Sequence, residues 1–346
     1  MAEIRLRFAQ LILASRASPL MQMFCVLLSI GVGIGIFGES VDYTNYEVFF
    51  DDMRWDRRST FQTSRFEEGF LWLTFLLVEA FPSDAMVFGI MALVSFWLKY
   101  FALSYYLLIT KPISGYCRGN SAWILIAIGA AFYCSRYMAL HEFTQVRVGL
   151  ATSFLLLYFV FFEKGRFPEA ILTALVAFYF HQSVLFAIVV ITIRPVSRRA
   201  LLLYSPIIFI IIYFLFYRVL VGIELESKAL ILYQDDGFGT KANPFSLLKI
   251  IDVIMAMAGM LLWNSATEVM RKVLIAQVVG LLFFFGLLDY PVMAFRIQEV
   301  FSVLWVFYIF DAYWQGYYQR VITSVFVVLC IATYPFYYAV KQPIFT

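Results

Sequence analysis

The sequence predicts an all-α polytopic membrane protein, and three observations support this fold class. Of its 346 residues, 63% are hydrophobic and 14% are charged, whereas soluble domains are roughly 45–50% apolar. Apolar stretches of about 20 residues, the length of one transmembrane helix, recur from residue 19 onward. Backbone groups in hydrocarbon must be satisfied inside helices, so we expect about 9 to 11 transmembrane helices plus re-entrant or interfacial segments.

Nine stretches have the length and apolarity of a membrane span, and two others are ambiguous. Residues 66–82 are short for a full crossing and are predicted to form an interfacial or re-entrant helix. Residues 167–193 form either one span or a hairpin that bends near His181. We therefore predict a single integral membrane domain over residues 1–346. The nine predicted spans are 20–38, 85–110, 121–138, 146–162, 200–222, 245–263, 273–288, 299–318 and 321–340.

The distribution of positive charge predicts the orientation of the chain. Lys and Arg residues in short loops accumulate on the cytoplasmic side of a membrane. If residues 66–82 do not cross and residues 167–193 enter and return on one side, the basic residues of the short loops fall inside. This threading places the N-terminus in the cytoplasm. It leaves outer loop 1, residues 39–65, and outer loop 2, residues 223–244, outside as candidate lids.

Charge and cysteine content exclude several function classes. The net charge of +3 is too small to indicate nucleic-acid binding, and no block of like charges forms a binding tail. The four cysteines show neither Cys-x-x-Cys pairing nor histidine at metal-binding spacing. The acidic pairs at residues 51–52 and 235–236 are interpreted as solvated loop charges. We therefore predict no metal and no cofactor.

Ionisable side chains inside apolar stretches are the first candidates for a functional site, because a charge at membrane depth is costly. Arg147 and His181 occupy such positions. Lys99 also lies within a span, on the cytoplasmic side of its centre, where it can snorkel toward the cytoplasmic surface, and no pattern in the sequence supports a role for it. The predicted threading gathers a set of polar residues at the outer face, with His181 reaching toward them. The members of this set are Arg136, His141, Gln145, Arg147 and Arg296.

Purely structural interpretations of these residues stay open. Arginines at span ends commonly snorkel to the headgroups, which applies to Arg136. A neutral His181 can hydrogen-bond a neighbouring helix. Glu67 and Glu68 can cap a short helix, where carboxylates complement the dipole of the N-terminus. His141 is interpreted as a loop residue.

Several local patterns occur together and in a fixed order. They resemble the Wzy/EpsG family of bacterial polysaccharide polymerases over residues 42–300. The Gln-x-Arg and His-x-Ser elements are the most specific parts of this resemblance. The patterns are Asp42-Tyr43 with Tyr46 and Phe49, Arg65-Phe66-Glu67-Glu68-Gly69-Phe70, Gln145-Val146-Arg147 with Gly149, Phe180-His181-Gln182-Ser183, and Phe295-Arg296-Ile297.

The resemblance implies a GT-C-like polymerase architecture and a multi-pass glycosyltransferase of the bacterial inner (cytoplasmic) membrane. Such an enzyme joins oligosaccharide repeat units carried on undecaprenyl diphosphate, with its active site facing the periplasm or exterior. The implied partners are the lipid-linked oligosaccharide and the bilayer, with a chain-length regulator and a flippase as further expected partners.

The implied reaction defines which side chains the site needs. An acceptor hydroxyl attacks an anomeric carbon while a lipid diphosphate leaves, so the site must stabilise negative charge on the leaving group. Guanidinium groups bind phosphate oxygens bidentately and stay charged. One general base suffices, and His181, Glu68 and Asp42 are the candidates, ahead of Glu67 and Glu299. The expected diphosphate-binding residues are Arg147, Arg136, Arg296, Arg65 and Gln145.

Two other function classes remain as alternatives. A transporter or flippase of lipid-linked glycans would also need basic residues in a cavity, but it requires access from both faces of the membrane. No internal repeat of the kind found in many transporters is evident. A membrane acyltransferase could use His181 as its base, but nothing in the spacing indicates a path for an acyl donor.

Overall fold

The computed structural model describes residues 43–64, 66–110, 120–138, 141, 145–214 and 245–336. The described residues form fourteen α-helices and no strands, which confirms the predicted all-α class. The chain is divided into two compact units. The first comprises residues 1–185 and 330–346, and the second comprises residues 186–329.

The helices are numbered in chain order. A π-helical turn, Cys134–Met138, continues α5, and a short 3₁₀ turn, Trp263–Ser265, follows α10. The helices up to residue 192 are α1 Tyr43–Trp55, α2 Arg57–Thr63, α3 Glu68–Ala80, α4 Asp84–Thr110, α5 Asn120–Tyr133, α6 Val146–Glu163, α7 Phe167–Phe180 and α8 Val184–Thr192. The later helices are α9 Arg198–Phe214, α10 Leu247–Leu261, α11 Glu268–Gly286, α12 Pro291–Ser302, α13 Trp305–Trp314 and α14 Tyr317–Phe336.

Five helical stretches of the described chain are long and apolar enough to cross a membrane. They agree with five of the predicted spans and fit a multi-pass membrane protein. The predicted total of 9 to 11 spans is not tested, because the span at 20–38 and the end of the span at 200–222 lie outside the described residues. The five stretches are Asp84–Leu107, Val146–Glu163, Glu268–Gly286, Met293–Tyr313 and Tyr317–Pro335.

The first unit is organised around α6, whose middle is almost completely buried. Helices α4 and α7 pack along α6, and α3 packs against α1 and α7. An aromatic core joins α1 to α3 and to the starts of α4 and α6, where apolar side chains are removed from solvent and stabilise the packing. Its members include Tyr46, Phe49, Phe50, Met53, Phe70, Leu71, Phe88, Met91, Val146 and Leu150.

The segment predicted as outer loop 1 is helical where the structure describes it. Helices α1 and α2 cover residues 43–63, and the side chains of Phe49, Phe50 and Met53 are buried in the aromatic core. This part of the loop is therefore a packed layer rather than an irregular lid. Outer loop 2, residues 223–244, lies outside the described residues. The short segment predicted at 66–82 corresponds to α3, Glu68–Ala80.

The ambiguous stretch at 167–193 consists of two helices separated at His181. Helix α7 ends at Phe180, and His181 has extended backbone angles of φ −162° and ψ 115°. Helix α8 begins three residues later, at Val184. The break places an imidazole at a helix end, where its direction is not restricted by the helical surface. Whether the two helices form a hairpin in the membrane stays a prediction.

The second unit is built around α11, which contacts α9, α10, α12 and α13. A buried polar network lies within it. Lys249 of α10 donates a hydrogen bond to Gln298 of α12, and Gln298 Nε2 donates to Asp252 Oδ2 at 3.0 Å. The Lys249 ammonium also lies 4.8 Å and 4.9 Å from the ring centroids of Phe284 and Phe295.

Candidate functional site

The carboxylate of Glu67 connects Arg147 and His181 in the first unit. Arg147 Nη1 donates to Glu67 Oε2 at 2.5 Å, and His181 Nδ1 lies 2.9 Å from Glu67 Oε1. The Arg147, Glu67 and His181 side chains are only 11%, 13% and 11% exposed. Three residues far apart in sequence therefore form one hydrogen-bonded cluster, here called the Glu67 cluster.

Each member of the Glu67 cluster lies at a helix end. Glu67 immediately precedes α3, Arg147 is in the first turn of α6, and His181 follows α7. Side chains at helix ends project beyond the packed helix surfaces, so several helices can bring them to one place. The close approach of α3 and α7 depends on Gly69, because a Cβ atom there would lie 2.8 Å from the Tyr179 carbonyl oxygen.

Phe66 supports the guanidinium of Arg147 from one side. The Arg147 Cζ atom lies 4.9 Å from the centroid of the Phe66 ring, a cation–π contact. Phe66 in turn packs edge-on against Phe49, with ring centroids 4.4 Å apart, and is stacked on Tyr46 at 6.0 Å. The aromatic core therefore fixes the orientation of the Phe66 ring, against which the Arg147 guanidinium packs.

The electrostatics of the cluster favour an ionised Glu67. Burial raises the pKa of the Glu67 carboxyl, but the hydrogen bond from His181 and the positive charge of Arg147 outweigh it and hold the pKa at about 2. The carboxylate accepts the Nδ1–H of His181, which fixes the imidazole tautomer. A neutral ring oriented in this way carries its basic lone pair on Nε2.

Several buried polar atoms on or close in sequence to the cluster residues have no hydrogen-bond partner within the described part of the chain. They include Gln145 Oε1, Arg147 Nε and Ser183 Oγ. Gln145 is the residue before α6, and Ser183 is two residues after His181. Buried polar groups are normally satisfied, and each exception calls for an explanation such as a catalytic role or a bound water or ion. A polar ligand at the Glu67 cluster could satisfy these atoms.

Comparison with protein families decides the class of the chain. The model of the EpsG family matches residues 20–343. The chain belongs to the EpsG family. This is a family of Wzy-type polysaccharide polymerases, so the resemblance seen in the motifs is confirmed. Comparisons with curated proteins and with solved structures give no significant match.

The structure places the remaining candidate residues of this EpsG-family chain in different surroundings. Arg136 is only 2% exposed and lies in the π-helical turn, with its guanidinium 4.8 Å from the Tyr334 ring centroid and 5.1 Å from that of Tyr137. Its Nη1 donates to Cys330 Sγ at 3.8 Å. Arg296 is half-buried on α12 in the second unit. Asp42 and Arg65 lie outside the described residues, so their roles stay predictions.

His141 is packed inside the first unit, which its interpretation as a loop residue does not indicate. It is fully buried, its Nδ1 lies 3.3 Å from the Tyr133 hydroxyl, and its ring is stacked on Tyr137 with centroids 5.5 Å apart. Burial lowers the pKa of the His141 imidazole well below its ordinary range, and the positive charge of Lys99 lowers it further. His141 is therefore a neutral imidazole packed beside the site.

Lys99 also differs from its predicted behaviour. It is 1% exposed and does not snorkel, because its ammonium bonds inside the unit to Gly149 O at 2.6 Å and to Ser95 Oγ at 2.7 Å. Polar acceptors on α4 and α6 thus replace the headgroups that we expected as its partners.

Glu67 makes both contacts to the other cluster members, whereas the sequence favours Glu68 as a base. In the structure Glu68 is exposed in the first turn of α3. A signal was present, since a buried arginine needs an opposite charge nearby. Choosing between adjacent glutamates required the backbone direction at the start of α3, which the sequence leaves undefined.

Metal ligation has no cluster to support it in the part of the chain that the structure describes. Groups of three or more His, Cys, Asp or Glu side chains arranged to hold a metal ion are absent from those residues. The polar groups brought together are instead a guanidinium, a carboxylate and an imidazole. This donor set suits an anionic leaving group and a hydroxyl nucleophile.

Proposed function

We propose that the protein transfers undecaprenyl-diphosphate-linked glycan repeat units onto one another at the outer face of the bacterial inner membrane. Membership of the EpsG family supports the polymerase class. The observation that carries the proposed site is the Glu67 carboxylate bonded to both Arg147 and His181. Glu67 can thereby orient both Arg147, the cation that would stabilise the leaving diphosphate, and His181, the general base.

The proposed step is a single displacement. The acceptor hydroxyl oxygen forms a bond to the anomeric carbon of the donor glycan as the bond from that carbon to the diphosphate oxygen breaks. The leaving diphosphate takes the electron pair, and His181 Nε2 takes the hydroxyl proton. Because a diphosphate leaves without needing a proton, this step requires one general base and no separate acid.

Arg147 is proposed to stabilise the charge that grows on the diphosphate. Its guanidinium already carries a charge-assisted hydrogen bond to Glu67 and rests on Phe66, so its position is fixed before substrate binds. Hydrogen bonds to charged groups contribute about 1.5–3 kcal/mol each. Among the described residues, the unsatisfied Arg147 Nε can donate to a diphosphate oxygen, whereas the unsatisfied Gln145 Oε1 can accept a hydrogen bond from a sugar hydroxyl.

Glu67 is proposed to orient the other two groups rather than to act as the base. A carboxylate with a pKa of about 2 is a poor proton acceptor near neutral pH. Its hydrogen bond instead directs His181 Nε2 away from the carboxylate, just as carboxylates behind metal-binding histidines orient those rings. Glu68 and Asp42 are the alternative bases, and Arg136, Arg296 and Arg65 are proposed as further diphosphate ligands.

The proposed location of the active site follows from the substrates. The donor and the acceptor are both lipid-linked, so the active site must face a membrane surface at which such glycans are presented. We assign this surface to the periplasmic or exterior side. No metal is required because the arginines supply the positive charge. A chain-length regulator and a flippase are proposed partners.

Reconstituted protein tests this proposal. Purified protein in liposomes is incubated with one undecaprenyl-diphosphate-linked oligosaccharide in the presence of EDTA, and the glycans are separated by length. We expect a ladder of longer glycans. The ladder should be lost in Arg147→Lys, because lysine lacks the planar fork of arginine.

Arg57→Lys is the matched control. Arg57 also pairs with a glutamate, Glu79, and lies 5.1 Å from the centroid of a phenylalanine ring, but its side chain is 50% exposed. We expect this variant to retain the ladder. Movement of the labelled lipid between leaflets without any lengthening would contradict the proposal and favour the flippase alternative.

A further inference from the structure

We propose that Lys99 is a positioning residue for the Glu67 cluster, acting by holding the first turn of α6 from which Arg147 extends. This inference rests on the proposed function and deepens it. Lys99 is 1% exposed and lies in a helix long enough to span a membrane. A charge in such a position is costly and is commonly associated with function.

The ammonium of Lys99 is bonded to the backbone of α6. Its Nζ donates to Gly149 O at 2.6 Å and to Ser95 Oγ at 2.7 Å. Gly149 follows Arg147 by two residues, and Gly149 N donates to Gln145 O at 2.9 Å. The carbonyl held by Lys99 therefore belongs to the same turn that presents Arg147 and Gln145.

Neighbouring hydroxyls complete this attachment of α4 to α6. Ser153 Oγ lies 2.8 Å from the carbonyl oxygens of both Ser95 and Gly149, and Thr152 Oγ1 donates to Gly149 O at 2.9 Å. The glycine is needed here, because a Cβ atom at Gly149 would lie 2.5 Å from the His141 carbonyl oxygen. Helix α4, the segment at His141 and the start of α6 thus meet at Gly149.

A purely structural explanation accounts poorly for a lysine at this position. A positive charge near a helix N-terminus opposes the helix dipole. Buried ion pairs can often be replaced by apolar residues of similar volume without loss of stability, so a buried charge is weak evidence for a stabilising role. The charge is better explained by the rigid hydrogen-bond donor that the ammonium supplies to the first turn of α6. Holding that turn in place matters because catalytic groups misplaced by about 1 Å can lose on the order of 100-fold in rate.

The test is a double-mutant cycle read out by binding. The affinity of the purified protein for undecaprenyl diphosphate in detergent micelles is measured for Lys99→Met, Arg147→Met and the double variant. We expect Lys99→Met to weaken binding by on the order of tenfold. In the Arg147→Met background it should have no further effect, because the group that it positions is gone.

Three variants keep the test decisive. Lys99→Arg should restore part of the affinity, and Ser95→Ala should weaken binding less than Lys99→Met but with the same dependence on Arg147. Lys249→Met, which removes a buried lysine of the second unit, should leave the affinity unchanged. Melting temperatures of all variants show whether they fold. If Lys99→Met does not fold, Ser95→Ala carries the test.

The outcomes separate this inference from the proposed function. If Arg147→Met binds the lipid as tightly as the unsubstituted protein, the proposed role of Arg147 fails, and the inference fails with it. If Arg147→Met weakens binding but Lys99→Met weakens it by the same factor in both backgrounds, only the positioning role of Lys99 is overturned.

Discussion

Replacing Glu67 by glutamine removes the negative charge that Arg147 and His181 share while keeping the size of the side chain. The native environment lowers the pKa of Glu67 from 4.5 to about 2. That difference corresponds to about 3 kcal/mol of stabilisation near neutral pH, since a pKa difference of one is worth roughly 1.4 kcal/mol. The side chain is 13% exposed, so screening by solvent reduces this figure only modestly.

The expected pH dependence follows from the direction of the pKa change. A carboxyl whose pKa is lowered in the folded state contributes its full stabilisation above its ordinary pKa of 4.5. The contribution is lost as the pH falls toward about 2. The unsubstituted protein should therefore be more stable than Glu67→Gln at pH 7, and the two should converge in acid.

The assay is the free energy of unfolding in detergent micelles, measured at pH 7 and at about pH 3. Glu79→Gln is the matched control, because its ion pair with Arg57 is roughly half-exposed and surface pairs contribute about 0–1 kcal/mol. Equal small losses in the free energy of unfolding of Glu67→Gln and Glu79→Gln would refute the reasoning. So would a stability difference between the unsubstituted protein and Glu67→Gln that persists unchanged in acid.

Three further predictions concern the base, the helix contact and the orientation. His181→Ala should slow glycan transfer by about 10²–10⁴-fold while lipid-linked substrate still binds, because a general base contributes a factor of that size; unchanged turnover would move the base to Glu68 or Asp42. Gly69→Ala should abolish polymer and lower the melting temperature by forcing α3 from α7, whereas Gly316→Ala, opposite a flexible side chain, should do neither; equal behaviour would contradict the close-approach argument. In intact cells, a membrane-impermeant thiol reagent should label Thr63→Cys but not Ser197→Cys, both at exposed positions, beyond the background of the unsubstituted chain; the opposite pattern would invert the proposed orientation.

The helical class, and the choice of Arg147 and His181 as candidate site residues, could be predicted from the sequence for a physical reason. Apolar composition and span length report directly on burial in a membrane, independently of how the helices meet. A charge or imidazole inside an apolar stretch is conspicuous because it is costly there. Neither inference needs the three-dimensional arrangement.

The partners of these residues could not be read in the same way. The contact of Glu67 with Arg147 joins residues 80 positions apart, and that with His181 joins residues 114 apart. The contact with His181 depends on the close approach of α3 and α7 at Gly69, and that with Arg147 on how α3 meets α6. Single-sequence patterns encode neither arrangement. The sequence does contain one sign that Lys99 is buried. Ser95 lies one helical turn earlier on the same face of α4 and can accept a hydrogen bond from its ammonium.

The central claim is that Glu67, Arg147 and His181 act as one unit in glycan transfer. The most direct measurement is the single-turnover rate of extension of a lipid-linked repeat unit by Glu67→Gln, Arg147→Lys, His181→Ala and the triple variant. Residues that act as a unit give strongly non-additive losses. We predict that the triple variant is no slower than the slowest single variant, and losses that multiply across the three sites would contradict the account.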